Sequence, residues 1–449
     1  MRAPEDLRTF ITALEAVGEL HRVTAEVDPH LEIAAITAAV SHKGEAGKGL
    51  FFETVKGGAA PVVTNLFGSS RRMTRVFGAE ALTDVTQRLR LALASVPSGE
   101  EPLAYLAALY SPRESDPLWN CAMAVDQIDS LPLLTSWPKD GGPYLTLPQV
   151  FTRSPEGEGQ NCGMYRLQLL ADGSFALHCK QGSGAARHLA AWRERGEAMP
   201  VAVALGGPPL LTWLAGLPLP ESVDDLALAG FFAAAPLAVS ITEQGLRLPA
   251  TAEYLLEGEI LPGETALEGP FGNHTGFYVP PTDWPRRRLT RLRHRPNPLY
   301  PCTVVGPPPM EDCAMAAAAV EILLPLLQRD LPWLHDLYLP PQGIFHGAAM
   351  LTVDATAPDL KSRCSALEKT LLLRKSRMLV FLPAGVDLRD GGDCFWRALN
   401  RVDLSRDLKV AGDRLVIDAT VTEGREVLGF DAAMKVHVAE KWRTYGFLD

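Results

Sequence analysis

Hydrophobic positions recur at helical spacing early in the chain, at alternate positions through its middle, and at helical spacing again towards its end. Leu7, Phe10, Ile11, Leu14 and Val17 fall on one face of a helix expected over Asp6 to Leu20, with Gly18 near its end. A second helix is expected from Leu31 to Val40. Strands are expected over Leu50–Val55 and Val62–Leu66, then a helix over Ala79–Val96 that Pro97 ends. This mixture describes a small N-terminal α/β domain, residues 1–115.

Between residues 116 and 310 the pattern becomes one of short strands broken by Gly, Pro and Asp. Met164–Leu170 and Ser174–Lys180 flank Asp172-Gly173, a sequence suited to a hairpin turn. Alternation then puts Arg166 with Gln168 on one face, and His178 with Lys180 on one face. Further strands are expected at Val201–Leu205, Leu237–Ile241 and Leu289–Leu292, so the middle domain reads as a β-barrel. From residue 311 to 449 the period lengthens again. A helix over Ala314–Leu324 stopped by Pro325, a strand over Ala348–Val353, a helix over Leu360–Leu373, and strands over Met378–Leu382 and Leu415–Val421 make a C-terminal α/β domain. Its apolar helices are candidates for an oligomer interface. The whole is a mixed α/β, multidomain chain.

A net charge of -10 argues against a nucleic-acid binder. It makes Arg286-Arg287-Arg288, with Arg291, Arg293 and Arg295 behind it, a local feature: an acid-paired strand or an anion-steering patch. Seven cysteines without a C-x-x-C pair read as reduced thiols. The first residues carry no signal peptide, and no apolar run is long enough to span a bilayer, so a cytoplasmic protein is expected.

Three segments hold candidate chemistry. Leu267 to Tyr278 sets Glu268, Asn273 and His274 among three glycines and a proline. Phe271, Phe277 and Tyr278 can wall Glu268 off from water and raise its pKa, as a proton shuttle requires; the same composition also suits a solvated turn. Asn161-Cys-Gly-Met-Tyr-Arg166 offers an oxygen ligand and a guanidinium fork, or a turn with an ion-paired Arg. Gln181 to His188 is a glycine-rich loop able to cradle a phosphate, with Lys180 and Arg187 near its ends, although it matches neither the dinucleotide fingerprint nor the P-loop. His188 alone reads equally as a structural histidine. With Asn161 and an acid it would suit Mn²⁺ or Mg²⁺.

In order and spacing, Asn161-Cys-Gly-Met-Tyr-Arg166, the Gly-Ala-x-x-His ending at His188, Glu268-Gly-Pro-Phe-Gly-Asn-His-Thr-Gly-Phe-Tyr278 and Val305-Gly-Pro-Pro-Pro-Met-Glu-Asp312 resemble the UbiD family of decarboxylases. Leu14–Leu20, Val27–Ile33 and Asn65–Met73 extend the resemblance over nearly the whole chain. It implies a reversible, non-oxidative decarboxylation of an aromatic or α,β-unsaturated acid with release of CO₂. It implies prenylated FMN, supplied by a flavin prenyltransferase, in a split β-barrel between two α/β regions, and a homodimer or homohexamer.

Carried over by position, Asn161, His188 and Asp225 would hold a divalent metal, Mn²⁺ or Mg²⁺, often with K⁺ beside it; Asp225 stands where the family has Glu. The flavin would lie against Thr146, Gly163, Met164, Tyr165, Arg187 and Ala215-Gly216-Leu217-Pro218. Arg166 and Glu268 would be catalytic. The family's second acid is Asn273 here, which leaves His274, then Glu268 through water, as substitute proton donors, unless an electron-rich substrate needs little help. The His-Thr-Gly-Phe-Tyr ending resembles members acting on quinone precursors. That implies a hydroxybenzoate or hydroxynaphthoate, as in ubiquinone or menaquinone synthesis. Lys361 and Lys369 are candidates for a cofactor-contacting lysine. The alternatives are a catalytically silent member serving as a flavin- or partner-binding subunit, and an ordinary FMN oxidoreductase.

Overall fold

The computed structural model describes residues 2–157, 159–354, 356–370, 372–420 and 428–447. The chain opens with the helix Leu7–Ala16, shorter than expected, because Asp6 caps it and the chain turns at Gly18 into a strand, Leu20–Val27, that helical periodicity had concealed. Asp6 accepts the Thr9 N–H at 2.8 Å while Thr9 Oγ1 accepts the Asp6 N–H. Helix Glu32–Ser41 then crosses to Gly49–Val55, which runs parallel to Leu20–Val27. Val62–Thr64 and the distant Tyr300–Pro301 complete this four-stranded sheet. The expected helix over 79–96 is Leu82–Leu93. Two short helices, Ser70–Val76 and Pro102–Ala108, have too few turns to show a period.

The middle of the chain forms an open nine-stranded sheet. Its spine is an antiparallel pair, Ala252–Glu268 against Thr282–His294, of 17 and 13 residues. The arginine run lies on the second of these strands, with Arg295 just past its end, and all but Arg287 are acid-paired. Arg286 meets Asp172, Arg288 meets Glu264, Arg291 meets Glu243 at 3.1 Å, Arg293 meets Glu257 at 3.0 Å and Arg295 meets Asp6 at 2.7 Å. Arg287 points inward instead, donating to the Leu256 carbonyl at 2.6 Å.

The last region is a five-stranded sheet in the order Leu334–Tyr338, Ala348–Val353, Met378–Pro383, Arg414–Asp418, Leu408–Ala411. The expected strand over 415–421 ends at Asp418, and Val421 lies outside the described residues. The helix expected to reach Leu373 stops at Leu367.

Pro325 does not stop its helix, which runs from Glu311 to Asp330. Proline removes the N–H that would pair with the carbonyl four residues earlier. That carbonyl, of Glu321, lies 3.0 Å from the Thr86 hydroxyl of the packed helix Leu82–Leu93, whose one proton it shares with the Leu82 carbonyl at 3.1 Å. A neighbouring helix thus satisfies the group that the proline leaves unpaired.

Candidate active site and cofactor cleft

Two antiparallel ladders build the site. In the hairpin, Leu167–Leu169 pairs with Phe175–Leu177 around Asp172-Gly173, with Gly173 at φ 78°. One step beyond, the His178 N–H donates to the Arg166 carbonyl at 3.1 Å, so Arg166 and His178 are cross-strand neighbours. In the second ladder Glu268 lies opposite Thr282 and Ala266 opposite Trp284, which puts Glu268 and Trp284 on one face.

These four side chains meet. The Arg166 fork donates to Glu268, Nε to Oε1 at 2.7 Å and Nη2 to Oε2 at 3.0 Å. His178 Nδ1 lies 3.2 Å from Glu268 Oε2, and its ring packs on Trp284 with centroids 4.1 Å apart. Phe271 supports the guanidinium at 4.0 Å, and Tyr144 packs edge-on against Phe271 at 4.7 Å. The backbone is held too: the Gly269 N–H donates to Gln168 Oε1 at 2.7 Å, and Gln168 Nε2 donates to the Gly141 carbonyl at 2.8 Å. Gly269 sits at φ 105°, and a Cβ on Gly141 would fall 2.2 Å from its carbonyl oxygen, so both positions require glycine.

Glu268 is 1 % exposed. Burial pushes its pKa up, but the hydrogen bonds from His178 and Arg166, with the Arg166 charge, outweigh burial and hold the carboxyl at about 2. This reverses the expectation that apolar walls would raise it. The walls themselves also differ. Phe271 is buried, but Phe277 and Tyr278 are exposed at 76 % and 37 %, and Tyr144 and Trp284 line the site instead.

The other two candidate catalytic residues lie further along the loop. Asn273 Oδ1 accepts the Thr275 N–H at 2.9 Å and its hydroxyl at 2.6 Å, so the carboxamide oxygen serves its own turn. The His274 ring meets that of His346, from the last region, edge to face with centroids 5.4 Å apart. Burial, then His346, Lys180 and Arg166, lower its pKa to about 4, which leaves it neutral at pH 7.

A cleft of about 690 Å³ opens beside this cluster and is lined by Asn161, Gly163, Met164, Tyr165, Arg187, His188, Ala215-Gly216-Leu217-Pro218 and Asp225. Three local contacts gather the candidate metal ligands there. Thr152 is paired with Asn161 across the strands, and its hydroxyl lies 2.9 Å from His188 Nδ1. Asp225 Oδ2 accepts the Cys162 N–H at 2.9 Å. A Cβ on Gly184 would fall 1.9 Å from Asn161 Oδ1, so glycine alone lets the helix Gly184–Arg195 start under that side chain.

These residues fit a hard divalent ion. Asn161 offers a carbonyl oxygen, His188 keeps Nε2 while Nδ1 is engaged, and Asp225 keeps Oδ1. Burial, then the neighbouring Asp224, raises the Asp225 pKa to about 7 against the lowering effect of the Cys162 N–H. Among the described residues no three His, Cys, Asp or Glu side chains cluster around a point; the candidate set contains only two such residues.

Thr146 does not line the cleft; its hydroxyl accepts the Thr303 N–H at 3.0 Å. Nor do Lys361 and Lys369, whereas Lys180, Arg374 and Lys375 do. His178, Trp284, Tyr144 and the Arg374-Lys375 pair are the members that sequence reasoning missed. No local pattern marks them, because long-range strand register and the docking of the last sheet put them here.

Three family models match the chain: residues 11–91, 115–308 and 313–432 match the N-terminal, Rift-related and C-terminal domains of 3-octaprenyl-4-hydroxybenzoate carboxy-lyase. An uncharacterised protein of Archaeoglobus fulgidus is 35% identical over 99% of this chain and 94% of its own length. One of Aquifex aeolicus is 34% identical over 98% and 93%. Among solved structures, an evolved dimeric form of the UbiD-class enzyme HmfF from Pelotomaculum thermopropionicum, in complex with prFMN, matches with a TM-score of 0.82 at 25% identity, covering 97% of this chain and 100% of that one. Vanillic acid decarboxylase of Sedimentibacter hydroxybenzoicus, in closed form, shares the fold with a TM-score of 0.87 at 23% identity, covering 99% of each chain. With family matches that run from residue 11 to residue 432, and a relative 35% identical across nearly all of it, the chain belongs to the UbiD family of carboxy-lyases.

Proposed function

We propose that the protein decarboxylates an aromatic carboxylic acid reversibly and without net oxidation, with prenylated FMN in the 690 Å³ cleft. The observation that carries this reading is the buried Arg166–Glu268 pair beside a cleft that holds a metal-ligand set and a basic mouth. Asn161, His188 and Asp225 would hold the divalent ion, and Lys180, Arg187, Arg374 and Lys375 would complement the cofactor phosphate. When bound, prenylated FMN supplies an electron sink for the carbon that loses CO₂.

The chain's own residues bind, orient and protonate. Arg166 presents a planar fork matched to a carboxylate. As the substrate acid draws that fork away, Glu268 loses two of its three hydrogen bonds, and burial then raises its pKa into a range where it can carry a proton. Glu268 is therefore the residue that delivers the replacement proton, since His274, with its pKa lowered to about 4, holds no proton to give at pH 7. Phe271, Tyr144 and Trp284 keep water from the transfer. A hydroxylated benzoate or naphthoate, as in quinone synthesis, suits a site in which Asn273 replaces an acid, since an electron-rich ring accepts a proton readily. A flavin prenyltransferase would supply the cofactor. A homodimer or homohexamer is supported by the apolar side chains exposed towards the C-terminus, among them Trp396, Phe430 and Trp442.

Co-expression with a flavin prenyltransferase, anaerobic purification and assay of CO₂ release from hydroxybenzoates and hydroxynaphthoates tests this. Turnover with a bound modified flavin is expected. Bound flavin with neither turnover nor CO₂ exchange on any such acid would favour the second reading, a silent flavin-binding subunit, which Asn273 favours.

A further inference from the structure

His178 has a role that the scheme above leaves unassigned. Its backbone N–H is fixed to the Arg166 carbonyl, its ring is covered by Trp284, and its Nδ1 lies 3.2 Å from Glu268 Oε2. Its Nε2 is buried and has no hydrogen-bond partner among the described residues. A buried N–H without an acceptor is rare and costly, whereas Nδ1 has a carboxylate within reach. The ring proton therefore sits on Nδ1, and Nε2 presents only a lone pair.

We propose that His178 is the positioning residue of Glu268, holding Oε2 through Nδ1–H after the Arg166 fork has turned to the substrate acid. Of the two donors that grip Glu268, Arg166 is the one an incoming carboxylate would engage. His178, enclosed between Trp284 and the hairpin, cannot follow it. Its Nε2 is buried without a protein partner, so the contact His178 makes in this site is the one through Nδ1, which orients the carboxyl. This assignment rests on the reading of Glu268 as the proton carrier. The charged and titratable groups around the pair are Arg166 and Lys180 facing His178, Arg166 and Tyr144 facing Glu268, and Asp140 near Arg166.

The first test needs no cofactor or substrate. In protein labelled with ¹⁵N in its histidine rings, the resonance absent from His178→Asn is expected to show the Nδ1–H tautomer, neutral at pH 7, and Glu268→Ala is expected to abolish that preference. An Nε2–H tautomer, or a preference that survives Glu268→Ala, overturns the proposal.

The second test uses the cofactor-loaded enzyme. His178→Phe is expected to lower kcat about tenfold or more with KM and the flavin spectrum unchanged. Because the carboxylate loses a donor, the alkaline limb of the kcat profile should move up by about one pH unit. His178→Asn, whose amide N–H can replace Nδ1–H, should restore most of both. Equal loss in the two variants, or a fall in flavin binding instead of kcat, counts against positioning. The two failures are distinguishable: full activity in Glu268→Gln overturns the proton-carrier reading, whereas the tautomer measurement judges the His178–Glu268 contact without turnover.

Discussion

Glu268 accepts three hydrogen bonds from two side chains while almost wholly enclosed. Glu268→Gln keeps the shape but cannot take up or release a proton, so decarboxylation should fall by about 10²–10⁴-fold, measured as CO₂ release. Flavin occupancy should hold, because Glu268 does not line the cleft. The same residue predicts an acid-sensitive fold. Its folded pKa of about 2 lies below the ordinary glutamate value of 4.5, so its stabilisation is fully present above about pH 4.5 and is lost as pH falls towards 2. Linkage makes this about 3 kcal/mol at neutral pH. Urea midpoints for wild type and Glu268→Gln should therefore lie furthest apart near pH 7 and converge as pH falls towards 2. At this scale the Asp172-Gly173 hairpin was legible in the sequence, and the family resemblance picked out Arg166 and Glu268, but the register that sets His178 beside Arg166 was not read in advance. Nor was the direction of the Glu268 pKa. Composition shows apolar neighbours, but not the donors that outweigh them.

At the scale of elements, the sequence pattern recovers strands and helices whose own residues decide their state, and fails where another element decides. Pro325 is the clearest case. Read locally it ends a helix; in the fold, Thr86 supplies a hydrogen bond to the Glu321 carbonyl and the helix continues to Asp330. Thr86→Val should cost about 1 kcal/mol of unfolding free energy. Pro325→Ala restores the intrahelical N–H, so Thr86→Val should cost much less in that background. Urea unfolding of the two single variants and the double variant measures that coupling. The 17-residue strand ending at Glu268 was hidden for a related reason. Its register with Thr282–His294 carries shifts near Gly258 and Thr265 that break simple alternation, and Trp284 reaches His178 through yet another long-range ladder, in which Phe175 pairs with Arg287 and Ala176 with Arg286.

At the scale of the molecule, two groups of apolar side chains face solvent in the single chain. Phe395, Trp396 and Leu399 lie on one helix, and Phe430, Met434, Val438 and Trp442 lie near the C-terminus. If these faces join copies of the chain, Val438→Arg with Trp442→Arg should lower the mass found by light scattering to that of a monomer, with the far-ultraviolet spectrum unchanged.

The cleft has a different consequence. Lys180, Arg187, Arg374 and Lys375 converge on it from separate parts of the fold, and the Lys180 pKa is lowered by burial and by the charges of Lys375 and Arg166. Arg187 is paired with Glu221 on the cleft wall, but Lys180 and Lys375 repel each other until an anion arrives, so a flavin phosphate bound here would act as mortar between the middle sheet and the last one. Inorganic phosphate should accordingly raise the Tm of cofactor-free protein well above the effect of chloride at equal ionic strength, and should do little once flavin is bound. A protein made without its flavin is thus expected to be the more fragile form, and the supply of cofactor would govern how much enzyme a cell retains as well as how fast that enzyme works.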